Sequence, residues 1–316
     1  MRYKCTVSYD GTMFHGFQTQ DNLRTVQEEI EKVLLIINKK KTICYPSGRT
    51  DTGVHAIGQV FHFDSDIIMK EENMRNAINS RLPRDIYIKK VEYVSDEFHA
   101  RFSAVKKEYH YLVDLGEFNP LQKNYRYYYP YKKIDRNLIS EASQIFVGEH
   151  DFRSFTKNQK LTDTVRTIYS IDLEWEEDLL KIKIVGNGFM HNMVRILVAM
   201  WLECARGKYS TNELKSILGE KNRIFAPKTA PSSGLYLFLL SSSIRIHSSC
   251  SSFILNEILI SIPLIVILKG SILHSSIIGE HIPSTKEIDI NLSKLLKSYC
   301  CQLFNSIKSI FLIFKS

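Results

Sequence analysis

The sequence lacks the paired cysteines and histidines on which metal sites and disulfide frameworks depend. None of its 6 cysteines belongs to a C-x-x-C pair, and its 10 histidines do not fall at zinc-ligand spacings. We therefore expect no metal site. A strand pattern follows Met1 directly, where a secreted protein would carry a signal peptide, so we expect reduced thiols and a cytoplasmic location.

Long apolar runs are also scarce. The most apolar stretch, residues 258–268, has about half of the ~20 residues that a transmembrane helix needs, and Pro263 interrupts it. We expect no membrane association for residues 1–240. After residue 240 the composition shifts to Ile, Leu, Ser and Lys without the glycine turns seen earlier. This shift predicts an atypical C-terminal extension over residues 241–316.

What the sequence does have is a globular composition and an excess of positive charge. Its 316 residues are 44% apolar and 24% charged, which is enough for a full core and favours two domains. Lysine and arginine together number 42 against 34 acidic residues, so the net charge is +8. Such an excess favours a polyanionic partner such as nucleic acid.

Two successions of strand and helix patterns indicate an α+β fold. The first, over residues 1–97, predicts strands at 3–9, up to 63 and at 86–94, with helices after Thr25 and at 70–80. The second, over residues 98–240, predicts strands at 109–113, 165–175, 179–185 and 235–237, with helices after Asp135, at 189–206 and after Ser210. Because the two successions are similar, we expect two related domains, each a mainly antiparallel sheet with helices on one face, flanking a basic cleft.

The most informative segment is a glycine-bracketed loop and strand at residues 48–63, GRTDTGVHAIGQVFHF. It presents Arg49 and Asp51 two residues apart and then alternates as a strand does. Loops carried by a rigid strand often hold functional groups. A neighbouring guanidinium favours the ionised form of a carboxylate, and an ionised carboxylate in such a loop is equipped to act as a nucleophile. We therefore take Asp51 as the candidate catalytic residue.

Three interpretations of Asp51 stay open at this point. It is a structural residue that caps a turn or bridges to Arg49, the aspartate of an aspartic protease D-T-G motif, or a nucleophilic or base-like group that acts on an RNA base. The protease chemistry needs two carboxylates that share one proton. Since the sequence contains no second D-T-G, only a dimer would supply the other carboxylate.

Basic side chains alternate with aromatic ones in residues 98–109 and 152–157, and residues 165–168 add a further arginine, Arg166. Such a mixture suits flipped or single-stranded bases, which stack on aromatic rings while cations hold the phosphates. A solvated basic surface is the alternative. Within the predicted helix at 189–206, His191 and Arg195 are four residues apart and would share one face. The candidate RNA-binding residues are Arg101, Lys106, Lys107, Arg153, Arg166, His191 and Arg195.

Six segments, taken together, resemble the TruA family of tRNA pseudouridine synthases. They follow the family's order and spacing and cover residues 1 to about 240. In chain order they read SYDGTMFHGFQTQ, GRTDTGVHAIGQVFHF, FHARFSAVKKEYHY, DFRSF with TVRTIYS, GNGFMHNMVRILV, and APSSGLYL. The chain departs from the family pattern from residue 238 onward, which bears on the last edge of the second domain and on dimer formation.

The resemblance implies an activity and a set of site residues. Asp51 would be the catalytic aspartate, Arg49 would pair with it and hold the place of the flipped-out nucleotide, and Tyr109 would contact the target base and remove a proton later. The implied reaction converts uridine to pseudouridine at roughly positions 38–40 of the tRNA anticodon stem-loop after the base is extruded. The implied assembly is a homodimer that contacts one tRNA with both subunits.

No electrons or phosphoryl groups are exchanged in that reaction, so it needs neither a metal nor another cofactor. The alternative within this resemblance is a non-catalytic RNA-binding relative. The presence of Arg49, Asp51 and Tyr109 together argues against it.

Overall fold

The structure is a computed structural model and describes residues 1–131 and 133–242. The first part of the chain forms four strands and two helices. They are β1 (Arg2–Tyr9), α1 (Val26–Asn38), β2 (Tyr45–Pro46), β3 (His55–Asp64), α2 (Glu71–Asn79) and β4 (Ile86–Val94). Helix α1 begins after Thr25, because the Thr25 hydroxyl accepts a hydrogen bond from the Glu28 N–H at 3.3 Å.

The second part forms six strands and three helices. They are β5 (Ala104–Asp114), β6 (Tyr127–Tyr128), α3 (Arg136–Gln144), β7 (Gly148–Asp151), β8 (Val165–Glu176), β9 (Leu179–Gly186), α4 (Met193–Ala205), α5 (Thr211–Glu220) and β10 (Leu235–Ser242). A complete capping box of Ser210 and Glu213 begins α5. No helix in the described part of the chain is long and apolar enough to cross a bilayer.

All ten described strands belong to one sheet. Its main order is β4-β1-β3-β10-β5-β9-β8-β7, with β2 paired to β3 and β6 paired to β5. Most neighbours are antiparallel, whereas β10 runs parallel to β3 and β6 runs parallel to β5. The predicted α+β class, with a mixed and largely antiparallel sheet, is therefore confirmed. The division into domains at residue 97 and the basic cleft stay predictions.

Strand β10 connects the strands of the two halves. Leu237 lies opposite Ala56 of β3 on one side and opposite Tyr109 of β5 on the other. Neighbouring strands lie about 4.8 Å apart. The strand that follows the Asp51 loop and the strand that carries Tyr109 are therefore separated by the width of this one strand.

The core lies between the sheet and the helices. Alternate residues of β1, Tyr3, Cys5 and Val7, are fully buried, as the period of two in the sequence predicted. Helix α4 is buried on nearly every side, which is typical of a helix in the middle of a core. Its Trp201 side chain is fully buried and contacts the ring of Phe146.

Two predicted element bounds are wrong. The helix expected from residue 189 starts at Met193, because Asn192 has a left-handed backbone (φ 60°) and forms the helix N-cap. Strand β10 continues to Ser242, beyond the expected end at residue 237, and pairs with β5 over that length. From residue 243 onward, the predicted extension lies outside the described residues.

Candidate active site

A cleft of about 1550 Å³ opens beside the Asp51 loop. Its walls come from the β2–β3 loop, the segment before β5, the residues that precede α4 and the start of α4. Among the described residues that line it, the only carboxylate belongs to Asp51. The lysine and arginine side chains along the same walls are Arg49, Arg101, Lys107, Lys157, Arg166 and Arg195.

The loop that carries Asp51 is held by the end of β1 and the turn after it. The Tyr9 hydroxyl and the Thr50 hydroxyl are hydrogen bonded at 2.8 Å in the interior. The Phe17 N–H donates to the Thr50 carbonyl, and the Gly53 N–H donates to the Phe14 carbonyl. These bonds anchor the backbone on both sides of Asp51 to the end of β1 and to the segment that follows it.

Gly11 permits the closest approach between that turn and the loop. A Cβ atom at Gly11 would lie 2.0 Å from the carbonyl oxygen of Val54, a distance that no real side chain tolerates. His55 fixes the same region, because its Nδ1 accepts a hydrogen bond from the Gly11 N–H at 3.1 Å. Gly11 of the SYDGT segment and His55 of the GVHA segment therefore both maintain the close contact between the turn after β1 and the start of β3.

The Asp51 carboxylate lies between a guanidinium and an imidazole. Arg195 Nη1 is 3.5 Å from one carboxylate oxygen, and His191 Nε2 is 3.5 Å from the other. Arg195 is itself held, since it donates to the Asn192 side-chain oxygen and to the Ala230 carbonyl, each at 2.7 Å. The Asp51 side chain stays 21% exposed, so a ligand in the cleft reaches it.

This arrangement differs from the expected pairing of Arg49 with Asp51. Arg49 lines the cleft as an exposed side chain, and no ion pair joins it to Asp51 in the described structure. Arg195 takes that place. Because α4 begins only at Met193, the expectation that His191 and Arg195 share a helix face is wrong, although both side chains reach Asp51.

Tyr109 also lines the cleft. Its ring is buried and meets the ring of Phe189 edge to face at 5.2 Å between centroids. Burial, reinforced by the neighbouring Tyr9 hydroxyl and the Asp51 carboxylate, raises the pKa of the Tyr109 hydroxyl. The phenol is therefore neutral at physiological pH and presents an apolar ring surface to the cleft.

Lys107 lies on the same side of β5 as Tyr109, since alternate residues of a strand face the same way. It is half-buried, and its ammonium donates a hydrogen bond to the Ser47 carbonyl at 3.2 Å. Burial, followed by the nearby charges of Arg101 and Arg166, lowers the pKa of Lys107 to about 8. The positive charges in this part of the cleft therefore repel one another.

The other candidate RNA-binding residues divide into two groups. Arg101, Lys107, Arg166, His191 and Arg195 all line the cleft. Lys106 is exposed and Arg153 is half-buried, and neither of them lines it. Sequence analysis did not single out Tyr45 or Lys157, which do line it; Lys157 belongs to a basic–aromatic segment, whereas no motif marked Tyr45.

The geometry supplies one carboxylate with a cationic neighbour, and the described residues that line the cleft give it no proton-sharing partner. Among the described residues, no group of three or more His, Cys, Asp and Glu side chains is placed to hold a metal ion. An aspartic protease dyad needs a second carboxylate, and the described walls of the cleft offer none. The reactive groups that the described cleft offers are therefore the single carboxylate of Asp51 and the neutral ring of Tyr109.

Comparison with known proteins decides the family. The family described as tRNA pseudouridine synthase matches residues 6–103 and 142–240. The chain belongs to this family. Curated relatives named tRNA pseudouridine synthase A include one from Anoxybacillus flavithermus, 46% identical over 242 residues that cover 76% of this chain and 98% of that protein. A relative from Bacillus subtilis is 46% identical over 243 residues, covering 75% and 98% of the two chains.

A further relative of the same name, from a Geobacillus species, is 47% identical over 240 residues, which cover 75% of this chain and 96% of that protein. The resemblance to the TruA family is thereby confirmed. So is the enzyme class expected from it, because pseudouridine synthases are isomerases. The residues that line the cleft can now be considered as parts of a pseudouridine synthase.

Proposed function

We propose that this chain converts uridine to pseudouridine in the anticodon stem-loop of tRNA, with Asp51 as the catalytic carboxylate. One observation carries the proposal: Asp51 is the only carboxylate among the described residues that line the cleft, and the side chains of Arg195 and His191 each lie 3.5 Å from one of its oxygens. Membership in the tRNA pseudouridine synthase family and the relatives' names support tRNA as the substrate.

The reaction moves one base without a net change in composition. The C1′–N1 bond breaks, the uracil ring turns, a C1′–C5 bond forms, and the hydrogen on C5 leaves as a proton while N1 regains one. In our proposal the Asp51 carboxylate assists the cleavage of the C1′–N1 bond. The neutral Tyr109 ring contacts the detached uracil, and its hydroxyl takes part in the later proton transfer.

The target nucleotide must leave its stack before Asp51 can reach it, which costs a few kcal/mol. Phosphate contacts by the arginine and lysine side chains along the cleft supply that free energy. In our proposal Arg49, exposed at the cleft, holds the place of the flipped-out nucleotide. The six basic side chains against one carboxylate support a basic cleft, which in our proposal lies between two domains, 1–97 and 98–240.

The proposed assembly is a homodimer in the cytoplasm, in which both subunits contact one tRNA. Sedimentation of the full chain with and without tRNA measures the stoichiometry. Two subunits per particle, in the free protein and in the complex, is the expected result. A monomer that binds and modifies tRNA at the full rate would contradict this part of the proposal.

The decisive experiment replaces the carboxylate and measures tritium release from tRNA that carries 5-tritiated uridine. Asp51→Ala should lower the single-turnover rate at least roughly a thousandfold, the scale seen when a nucleophile is removed. Binding of the tRNA should stay equal or become tighter, because the substitution removes a negative charge from a cleft lined with cations. Chemical mapping of pseudouridine in the product locates the modified stem-loop.

Asp66→Asn is the matched control, because Asp66 is exposed, pairs with Lys40 and does not line the cleft. It should keep the parental rate. If Asp51→Ala also keeps that rate, Asp51 is not the catalyst. If the parental chain binds tRNA but releases no tritium from any tRNA, it is a non-catalytic RNA-binding relative.

A further inference from the structure

Four rings form a connected cluster at the side of the cleft next to β2, and we name Tyr45, His62, His99 and Phe102 the ring cluster. His62 on β3 is buried and lies 5.1 Å from the Tyr45 ring in a stacked geometry. The His99 ring lies 4.7 Å from that of His62, and the Phe102 ring lies 4.4 Å from that of His99. The cluster therefore runs from the interior out to the solvent.

Phe102 is the outermost ring and is 79% exposed. Burial of a phenylalanine side chain contributes roughly 1.5–3 kcal/mol, so leaving one in water forgoes most of that stabilisation. Tyr45, at 43%, is also exposed, and both side chains line the same cleft as Asp51. Exposed aromatic rings that share a cleft with a catalytic group are candidates for ligand contact.

The loop that carries Phe102 is ordered by hydrogen bonds of its own backbone. The Ala100 N–H donates to His62 Nδ1 at 3.2 Å, and the Arg101 N–H donates to His99 Nδ1 at 3.2 Å. The Ser103 N–H donates to the His99 carbonyl at 2.8 Å. Two imidazole rings thus hold the backbone before Phe102 and the His99 carbonyl holds it after Phe102, so the loop that carries the ring is ordered at both ends.

Both imidazoles stay neutral at physiological pH. Burial, followed by the nearby charge of Arg2, lowers the pKa of His62 to about 4 and also lowers the pKa of His99. Neutral rings avoid the repulsion that a charged imidazole would meet from the arginines around it. They leave Tyr45 and Phe102 as uncharged surfaces on which a flat ligand can stack.

The charges beside the ring cluster indicate which flat ligand fits. Arg101 and Lys107 line the cleft next to Phe102, and no carboxylate among the described lining residues lies with them. A nucleotide has an aromatic base for the rings and a phosphate for the cations. An apolar peptide would satisfy the rings but would leave the cations without a partner.

We propose that Tyr45, His99 and Phe102 form a stacking subsite for the base of a second nucleotide of the RNA substrate, next to the uridine that enters the Asp51 site. The inference rests on the proposed function, because it takes the RNA in the cleft as given. Phe102 contacts the base face, and Arg101 and Lys107 contact the phosphate of the same nucleotide. The subsite holds the strand while the neighbouring uridine turns.

The test measures binding of an anticodon stem-loop RNA to full-length protein in the Asp51→Ala background, so that turnover does not interfere. Adding Phe102→Ala should weaken binding at least about fivefold, as expected for the loss of one base–aromatic stack. Phe102→Tyr, which keeps the ring, should bind within twofold of the parent. Phe118→Ala is the control, since Phe118 is 55% exposed and does not line the cleft.

Salt dependence separates stacking from charge. Phe102→Ala should leave the slope of log affinity against log salt unchanged, whereas Arg101→Ala should reduce it by about one. RNA with 2-aminopurine at single loop positions adds a direct signal. The fluorescence of 2-aminopurine at one loop position should be quenched by the Asp51→Ala protein, and this quenching should be lost when Phe102→Ala is added.

Two outcomes overturn the subsite. One is an affinity for Phe102→Ala within twofold of the parent at every loop position. The other is an unchanged RNA affinity with altered sedimentation, which would make this surface a protein interface. Tritium release by the otherwise wild-type chain tests the proposed function separately, so its failure is not confused with failure of the subsite.

Discussion

Lys107→Met is expected to make the protein more stable and a weaker RNA binder at the same time. The Lys107 ammonium is half-buried beside the Asp51 loop, where it donates to the Ser47 carbonyl at 3.2 Å. A Cβ atom at Gly48 would lie 2.8 Å from its nitrogen, so the ammonium fills the space against the loop backbone. Methionine has a similar length and carries no charge.

The magnitude follows from the pKa of the amine. A lysine pKa lowered from 10.5 to about 8 means that the fold disfavours the ammonium by roughly 3 kcal/mol at neutral pH. Loss of the hydrogen bond to Ser47 offsets about 1–2 kcal/mol of that gain. We therefore expect the methionine variant to exceed the parent in free energy of unfolding by about 1–2 kcal/mol at pH 7.

The pH dependence has a definite sign. Between about pH 8 and pH 10.5 the unfolded chain keeps the Lys107 proton while the folded chain loses it. The stability contribution of Lys107 therefore rises with pH across that window. The methionine variant has no such contribution, so its advantage is complete below pH 8, shrinks as pH rises above 8 and is lost before pH 10.5.

Urea denaturation of the full chain at pH 7 and pH 10 measures the difference, and filter binding of tRNA measures affinity. The salt slope of tRNA binding should fall by about one, because one phosphate contact is lost. Lys106→Met is the control: its side chain is exposed, and the change in stability should stay within about 0.5 kcal/mol at both pH values. A methionine variant less stable than the parent at pH 7 would refute the reasoning.

Two further predictions concern Gly11 and His62. Gly11→Ala should lower the free energy of unfolding by at least roughly 2 kcal/mol and abolish tritium release, because the alanine Cβ would lie 2.0 Å from the Val54 carbonyl oxygen. Gly219→Ala is the control, since a Cβ atom there would have no neighbour within 4 Å. It should raise stability in thermal unfolding by about 0.5–1 kcal/mol. For His62, whose pKa is lowered to about 4, protonation of the unfolded chain should remove up to about 3 kcal/mol of stability as pH falls from 6.5 to 4. The stability of His62→Phe should fall less across that range in urea denaturation, and equal slopes would contradict the assignment.

Local patterns were enough for the elements and for the catalytic loop. The alternation of Tyr3, Cys5 and Val7 and the capping residues Thr25 and Ser210 act over a few positions, so they are visible in the sequence. The same holds for the loop at Asp51, because its glycines and its charged pair are neighbours along the chain. These features predict the α+β class and the candidate residue Asp51 without knowledge of the fold.

The contacts of the site were less accessible, because they join distant parts of the chain. Arg49 is two residues from Asp51, yet it is Arg195 that lies 3.5 Å from the carboxylate. Spacing along a loop without regular dihedral angles does not fix where side chains point. The insertion of β10 between β3 and β5 was equally hidden, since no short-range pattern encodes which strands become neighbours.

The order of the strands has a consequence that we expect during translation. Asp51 and Tyr109 leave the ribosome early, but β10, the strand that lies between their two supports, is synthesised last among the described elements. A nascent chain that ends before residue 235 contains Asp51 and Tyr109 but lacks β10, the strand that separates β3 from β5. We expect the capacity to modify RNA to arrive late and abruptly, as that final strand inserts.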